Sequence, residues 1–301
     1  MLYTDFRYAR AARSVEGVEF VETSRHLIDD LANRLAGRIG FESAHLRYAE
    51  YETLAAGGLD LVPRRHLVER LRAVKDGDEI ALIKRATQIT DEAFERLANE
   101  QFVGRTERDV AWTLESIFHD LGADSPAFAT IVASGANGSQ PHARATDKVI
   151  ERDEMVVIDA AAAVGGYASD CTRTWATGEL AGELREAYEV CLEAQARGVE
   201  AVRAGRTGRE VDAEPRGLID ATRFKGSFGH GLGHGIGLLV HEAPGLRPEG
   251  EQALEPGNVV TVEPGIYLEG RGGVRIEDLV IVREDGPEDI TRLTKELLVV
   301  G

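Results

Sequence analysis

Cysteine is nearly absent. Cys171 and Cys191 are the only two in 301 residues, and they lack the spacing of a redox or metal-binding pair. A disulfide scaffold is excluded, and the expected setting is a reducing one, the cytoplasm. No apolar run approaches the ~18 residues that would span a membrane. The opening Met1-Leu2-Tyr3-Thr4-Asp5 has neither the basic start nor the apolar stretch of a signal peptide. Positive charge is scarce as well: lysine occurs only at 75, 84, 148, 225 and 295, and the formal net charge is −17. Nucleic acids and anionic membranes reward basic patches, so neither is expected as a partner. Three catalytic signatures are missing. There is no Gly-x-Ser-x-Gly elbow, and Ala243-Pro244-Gly245 after His241-Glu242 rules out His-Glu-x-x-His. The glycines of 229–237 do not fit Gly-x-Gly-x-x-Gly.

What is present is enough for a sizeable core, with 43% hydrophobic residues, in one large domain or a large and a small one. Residues 1–75 read as a small α/β domain. Val18–Glu22 and Leu59–Val62 are strand-like, and a helix capped by Thr23 or Ser24 runs towards Gly37 with Leu27, Leu31 and Leu35 in step. Its histidines, His26, His45 and His66, have no metal-ligand spacing and are read as structural. Residues 76–301 form the larger domain. A helix over Asp76–Gln101 places Ile80, Ile83, Ala86, Thr87, Ile89, Ala93 and Leu97 on one face, and a second helix covers Glu107–Leu121.

The segment Gly104-Arg105-Thr106-Glu107-Arg108-Asp109-Val110 is echoed 101 residues on by Gly205-Arg206-Thr207-Gly208-Arg209-Glu210-Val211. Each copy follows a long helix and precedes strand-rich sequence, which points to a duplicated α/β half with a cleft between the copies. Pro215 is expected to break the second helix early. A strand over Phe128–Ser134 leads into a loop carrying His142, and loops held by strands are where chemistry concentrates.

Acids interrupt the most apolar strands. Asp159 ends Met155-Val156-Val157-Ile158, and a lone buried carboxylate is costly unless paired or metal-bound. Gly165-Gly166 signals a tight turn. A turn at 164–165 puts Asp159 directly opposite Asp170; a turn one residue later makes them diagonal neighbours. Either separation suits carboxylates gripping two metals ~3.5–4 Å apart. Glu263 and Glu277 are likewise centred on a glycine-rich turn at Gly270. The competing reading is a pair of salt-bridged hairpins, for which Arg173 and Arg275 are the nearby counter-charges. Gly229–Glu242 adds three histidines, His230, His234 and His241, among alternating glycines. Four carboxylates and an imidazole form a donor set for manganese, cobalt, iron or zinc, with magnesium less suited.

At these residues the sequence resembles the "pita-bread" metallopeptidases: methionine aminopeptidase, Xaa-Pro aminopeptidase and Xaa-Pro dipeptidase (prolidase). The resemblance covers roughly residues 70–301, and the part before it weakly. It implies an α+β, pseudo-two-fold catalytic domain. The family's metal aspartates fall on Asp159 and on Asp170 in Ser-Asp-Cys-Thr-Arg-Thr. Its metal histidine falls on His234, and its metal glutamates on Glu263 of Val-Glu-Pro-Gly-Ile-Tyr and Glu277 of Arg-Ile-Glu-Asp. Two divalent ions are implied, manganese first, with cobalt, zinc or iron as substitutes.

The histidine pattern resembles the proline-cleaving branch most. By that resemblance His142 and His241 contact the scissile peptide and Glu263 shuttles a proton. His230 lines the proline pocket, and Arg275 holds the site or the substrate carboxylate. Hydrolysis of an Xaa-Pro bond in a peptide, by a homodimer, is the implied activity. The alternatives are methionine removal or a metal-dependent lyase reaction on the same site, or a binding protein that kept the fold. Two departures stand out. Ala160–Ala163 follow Asp159 where the family leads into glycine, so crowding beside the metals is an expectation to test. Thr4-Asp5-Phe6-Arg7-Tyr8 matches a stretch that the family reaches later, so the small domain is expected to be truncated.

Overall fold

The computed structural model describes all 301 residues, which divide into two compact units, Met1–Val68 and Glu69–Gly301. In the first, β1 (Leu2–Asp5), α1 (Ala9–Arg13), β2 (Phe20–Thr23), α2 (Leu27–Arg34), β3 (Arg38–Glu42), α3 (Tyr48–Ala56) and β4 (Asp60–Arg64) follow one another. β1 pairs β2 and β3 pairs β4, both parallel. Ala32, Leu54 and Leu59 make a small core with Leu31 and Leu35 against it, whereas Leu27 stays exposed. This helix, α2, begins at Leu27 behind His26, later than a cap at Thr23 or Ser24 would start it. Ser24 holds the turn before it, accepting from the His26 N–H. The side chains of His26, His45 and His66 are exposed.

The second unit opens with most of α4 (Leu67–Ala73) and continues into α5 (Gly77–Leu97) and α6 (Glu107–Asp120). Asp76 caps α5, accepting from the Asp78 and Glu79 N–H groups, so this helix starts where sequence places it. All seven apolar-face positions read from sequence are buried. Four strands follow: β5 (Ser125–Pro126), β6 (Ile131–Ser134), β7 (Met155–Asp159) and β8 (Ala162–Val164). Then come β9 (Tyr167–Ala168) and β10 (Thr172–Ala176). Strands β6, β7 and β10 form one antiparallel sheet in the order β10-β7-β6. α5 and α6 bury Phe94, Leu97, Val110 and Leu114 against Val156, Ile158 and Trp175 of that sheet. Trp175 meets Phe94 and Phe102 edge-on, contacts worth about 0.5–1.5 kcal/mol each beyond area burial.

The second half repeats the plan. α7 (Gly182–Ala201) and α8 (Gly208–Asp220) are followed by β11 (Gly233–Gly235), β12 (Glu242–Leu246) and β13 (Val259–Val262). Then come β14 (Gly265–Leu268), β15 (Gly272–Arg275), β16 (Asp278–Arg283) and β17 (Gly286–Asp289). The main sheet runs β12-β11-β13-β16-β17, with β14 and β15 as a separate pair. Cys191, Ala194, Val211 and Ile219 of α7 and α8 pack on Val260, Val262 and Val280. The echoed motif does the same work twice. Thr106 and Asp109 form a capping box at α6, and Thr207 and Glu210 form one at α8. Arg105 donates to the Asp109 carbonyl at 2.9 Å and Arg206 to the Glu210 carbonyl at 2.8 Å. Pro215 does not break α8, contrary to the sequence reading: the helix runs 13 residues, against 14 for α6. Val211, Pro215 and Ile219 lie on its buried face, and packing of that face outweighs the one lost backbone hydrogen bond. No helix is long and apolar enough to cross a membrane.

Candidate metal centre

Two hairpin registers decide where the acids meet. Asp159 pairs with Thr172, not with Asp170, because the tight turn lies at Gly165-Gly166 with φ of +58° and +84°. The direct opposition is thus corrected to the diagonal one. Asp170 is two residues from Thr172 and therefore on the same side as Asp159. In the second ribbon Val262 pairs Asp278 and Gly265 pairs Arg275. Counting inward from both pairs brings Glu263 level with Glu277.

All nine sequence-selected residues line one cleft of about 470 Å³: His142, Asp159, Asp170, His230, His234, His241, Glu263, Arg275 and Glu277. Candidate ligand atoms of Asp170, His234 and Glu277 lie within 4.8 Å of one another. The His234 Nε2 is 3.3 Å from Glu263 Oε1 and 3.8 Å from Asp170 Oδ2. His234 Nδ1 faces the Gly235 carbonyl at 3.1 Å and so must donate to it, which turns Nε2 toward the acids. None of Ala160–Ala163 borders the cleft; Ala160 and Ala162 are buried in the helix-backed core instead.

The alternating glycines are packed rather than loose. A side chain at Gly233 would overlap the Thr261 carbonyl, and one at Gly235 the Ala243 carbonyl. Close backbone approach is what lets β11 carry His234 between its neighbours. Gly233→Ala is expected to lower stability by about 1–3 kcal/mol through overpacking and to weaken metal binding. Urea unfolding and metal titration check it, and unchanged values for both would contradict the close fit.

Arg275 organises the site. Its guanidinium is almost wholly buried and pairs with Asp159 at 2.6 Å. It also donates to Thr172 Oγ1 at 3.0 Å, Pro141 O at 3.1 Å and the Tyr267 hydroxyl at 2.9 Å. The Tyr267 hydroxyl in turn donates a hydrogen bond to His230 Nε2 at 2.9 Å, since His230 Nδ1 donates to the Gly231 carbonyl at 2.8 Å. His230 is accordingly neutral, with burial pushing its pKa down. Arg173, the other candidate counter-charge, turns away to Asp278 at 2.8 Å. Sequence reasoning missed Thr172, Tyr267 and Arg247. It also missed Asp212 and Arg216: Asp212 accepts from the Leu232 N–H, and Arg216 donates to the Phe228 and His230 carbonyls. Only a fold that brings α8 beside the histidine strand reveals them.

The electrostatics are those of an acid cluster short of cations. Burial, then repulsion from Asp159, raises the Asp170 pKa well above the carboxylate range. Burial, then repulsion from Asp170, does the same to Glu277. Burial also raises Asp159, against the pull of Arg275. Burial would raise Glu263 too, but its hydrogen bond with His234 wins and holds it at about 2. The same pair overcomes burial to lift His234 to about 9. Asp159 Oδ1 and Glu277 Oε1 are buried with no hydrogen-bond partner. Two orphaned carboxylate oxygens in a set of four acids, with an imidazole in the same cleft, fit divalent cations of the first transition row.

Comparison with known proteins agrees with this geometry. Residues 81–284 match the model of metallopeptidase family M24, and residues 1–74 match the creatinase/prolidase N-terminal domain. An Xaa-Pro dipeptidase of Pyrococcus furiosus is 43% identical over 232 residues, 77% of this chain and 67% of its own length. The structure of an Xaa-Pro dipeptidase from Bacillus anthracis superposes with a TM-score of 0.95 at 44% identity, covering 99% of this chain and 86% of that one. An X-Pro aminopeptidase from Thermotoga maritima superposes at 0.90 and 37% identity, covering 99% and 87%. With the acids and the imidazole gathered in the pita-bread cleft, this chain belongs to metallopeptidase family M24.

Proposed function

We propose that this chain hydrolyses Xaa-Pro peptide bonds with two divalent ions held by Asp159, Asp170, His234, Glu263 and Glu277. The observation that carries the reading is the convergence of these five side chains in one cleft, with two buried carboxylate oxygens left without partners. Manganese is the metal we expect, because the donors are four carboxylates and one imidazole. When bound, such ions supply Lewis acidity and a water acidic enough to attack a carbonyl at neutral pH.

The remaining roles belong to the protein. Glu263 accepts a proton at its carboxylate and delivers it to the leaving nitrogen. His241 is pushed below the usual histidine pKa, by burial first and then by His234, whose ring centroid is 4.2 Å away. It is therefore neutral near pH 7 and donates one N–H to the carbonyl oxygen, with His142 orienting the amide. A prolyl nitrogen offers no proton, so the ring must be recognised by shape. Phe128, Ile131, Val240 and the face of His230 supply apolar walls. Arg275 is committed to Asp159, Thr172 and Tyr267, which supports a role in holding the site rather than the substrate. A homodimer goes with this reading. Phe6, Tyr8 and Tyr48 of the first unit expose apolar surface for a second copy to cover, and light scattering measures the mass.

The test is turnover of Gly-Pro, Arg-Pro-Pro and Met-Ala by manganese-loaded protein, with metal content determined on the same sample. Proline peptides are expected to be cleaved and Met-Ala not; preferential cleavage of Met-Ala would overturn the specificity, and absence of bound metal the whole reading. Arg247 lines the cleft with an exposed side chain that no acid pairs. In a dipeptide the prolyl carboxylate ends near the reacting bond, and a free guanidinium suits it. Arg247→Ala should raise the KM for Gly-Pro about tenfold, the scale of one charge-assisted hydrogen bond, with kcat little changed. A fall in kcat at constant KM would count against that role.

A further inference from the structure

The loop that carries His142 is anchored by a carboxylate no reaction step uses. Glu107, the first residue of α6, is 0% exposed. Its Oε1 accepts from Ser134 N at 2.7 Å and Ser134 Oγ at 2.9 Å. Its Oε2 accepts from Asn137 Nδ2 at 2.8 Å, Thr146 N at 3.1 Å and Thr146 Oγ1 at 2.6 Å. Ser134 ends β6 and Thr146 closes the following loop, so one side chain ties both ends of the segment together. Asn137 extends the clamp by donating to the Arg144 carbonyl at 3.2 Å, across the bend that holds Pro141 and His142. Arg275 fixes the middle through the Pro141 carbonyl. The His142 imidazole itself is exposed and makes no hydrogen bond, so its place over the cleft is inherited from the loop backbone.

A buried carboxylate without a direct ion pair is costly, and here hydrogen bonds, the helix N-terminus and Lys148, whose Nζ donates to Ser134 Oγ at 2.9 Å, offset it. The duplicated motif shows that the cost is not demanded by the fold. At the equivalent position of the second half stands Gly208, packed against the Gly245 carbonyl with no room for a side chain. The carboxylate is thus particular to the half that presents His142.

We infer that Glu107 is a positioning residue for His142: its carboxylate clamps Ser134, Asn137 and Thr146 so that the imidazole meets the scissile peptide. This rests on the role proposed for His142 above. The experiment is a double-mutant cycle of Glu107→Gln and His142→Ala, read as kcat and KM for Gly-Pro with the manganese-loaded protein. The amide keeps the shape of the carboxylate. Its NH2, however, must face a backbone N–H, of Ser134 or of Thr146, that cannot turn away as a hydroxyl can. His142→Ala is expected to cost about 100-fold in kcat. Glu107→Gln is expected to cost about tenfold in kcat, with KM and metal content unchanged.

The double variant should lose no more than His142→Ala alone. Losses that multiply would overturn the inference, because Glu107 would then act by another route. A Glu107→Gln protein that loses metal or shifts only KM would do the same. Full activity of His142→Ala would instead remove the reading on which the inference rests, a distinct result. If Glu107→Gln does not fold, Thr146→Val deletes one donor at an exposed position and runs through the same cycle, with an expected loss of about threefold.

Discussion

Glu277→Gln is expected to destroy activity while making the metal-free protein more stable. Glu277 is 1% exposed, its Oε2 accepts from Thr172 Oγ1 at 2.7 Å, and its Oε1 has no partner. Burial and the neighbouring Asp170, Glu263 and Asp159 push its pKa far above the usual range. Folding without metal therefore forces this carboxyl either to stay protonated or to sit among like charges. Each pH unit between an ordinary carboxylate pKa and the working pH contributes about 1.4 kcal/mol of that cost. An amide of the same shape carries none of it, and its oxygen still receives the Thr172 hydroxyl. In EDTA at pH 8 the variant should gain on the order of 2 kcal/mol, seen as a melting midpoint several degrees higher.

With metal the order reverses. A ligand is lost, and with it several kcal/mol of transition-state charge stabilisation, so turnover should fall about 10³-fold or more. Calorimetric melting with and without EDTA, together with Gly-Pro turnover, separates the two effects. Wild-type activity in the variant would remove Glu277 from the ligand set. A lower midpoint in EDTA would show that the acid stabilises the metal-free fold instead of straining it.

The second large effect is on pH. Asp170 and Glu277 have folded pKa values raised well above the unfolded ones, so the folded state holds protons that the unfolded state releases. Stability from these groups falls as pH rises above the ordinary carboxylate range. His234, raised to about 9, contributes stability that is complete below its unfolded value and lost as pH climbs through about 9. Glu263 runs the other way, but its transition lies at about 2, outside this range. The metal-free protein should therefore lose stability steadily between about pH 5 and 9.

Metal binding displaces the same protons from His234 Nε2 and the buried carboxyls. Its affinity should rise by more than tenfold per pH unit across that interval, because more than one proton leaves. Chelation should then lower the melting midpoint strongly at pH 8 and hardly at pH 5. At 1,000 times its dissociation constant, a bound ion adds about 4 kcal/mol to folding stability. Manganese titrations at three pH values measure the slope. A slope flatter than one proton, or a metal-free stability that rises with pH, would mean that these side chains do not titrate as one cluster.

The sequence by itself determined the ligand candidates, the helices α5 and α6, and the duplication. Acids ending apolar strands are conspicuous because an unpaired buried carboxylate is costly, so Asp159, Asp170, Glu263 and Glu277 stand out without coordinates. The capping boxes at Asp76, Thr106 and Thr207 are local chemistry, and local chemistry is legible. Tertiary structure decided the rest. A shift of one residue in the turn separated opposition from diagonal contact for Asp159 and Asp170, and only the observed register at Gly165-Gly166 settled it. Pro215 reads as a helix breaker until the core behind α8 is seen to hold it. Arg275 and Arg173 are equivalent cations in sequence, yet one enters the cleft and the other turns away from it. Glu107, Asp212 and Arg216 carry no signal at all, since their partners lie between 12 and 39 residues away apart from the Asp212–Arg216 pair itself. Periodicity and capping act over a few residues, whereas a site is assembled by contacts that chain connectivity does not encode locally.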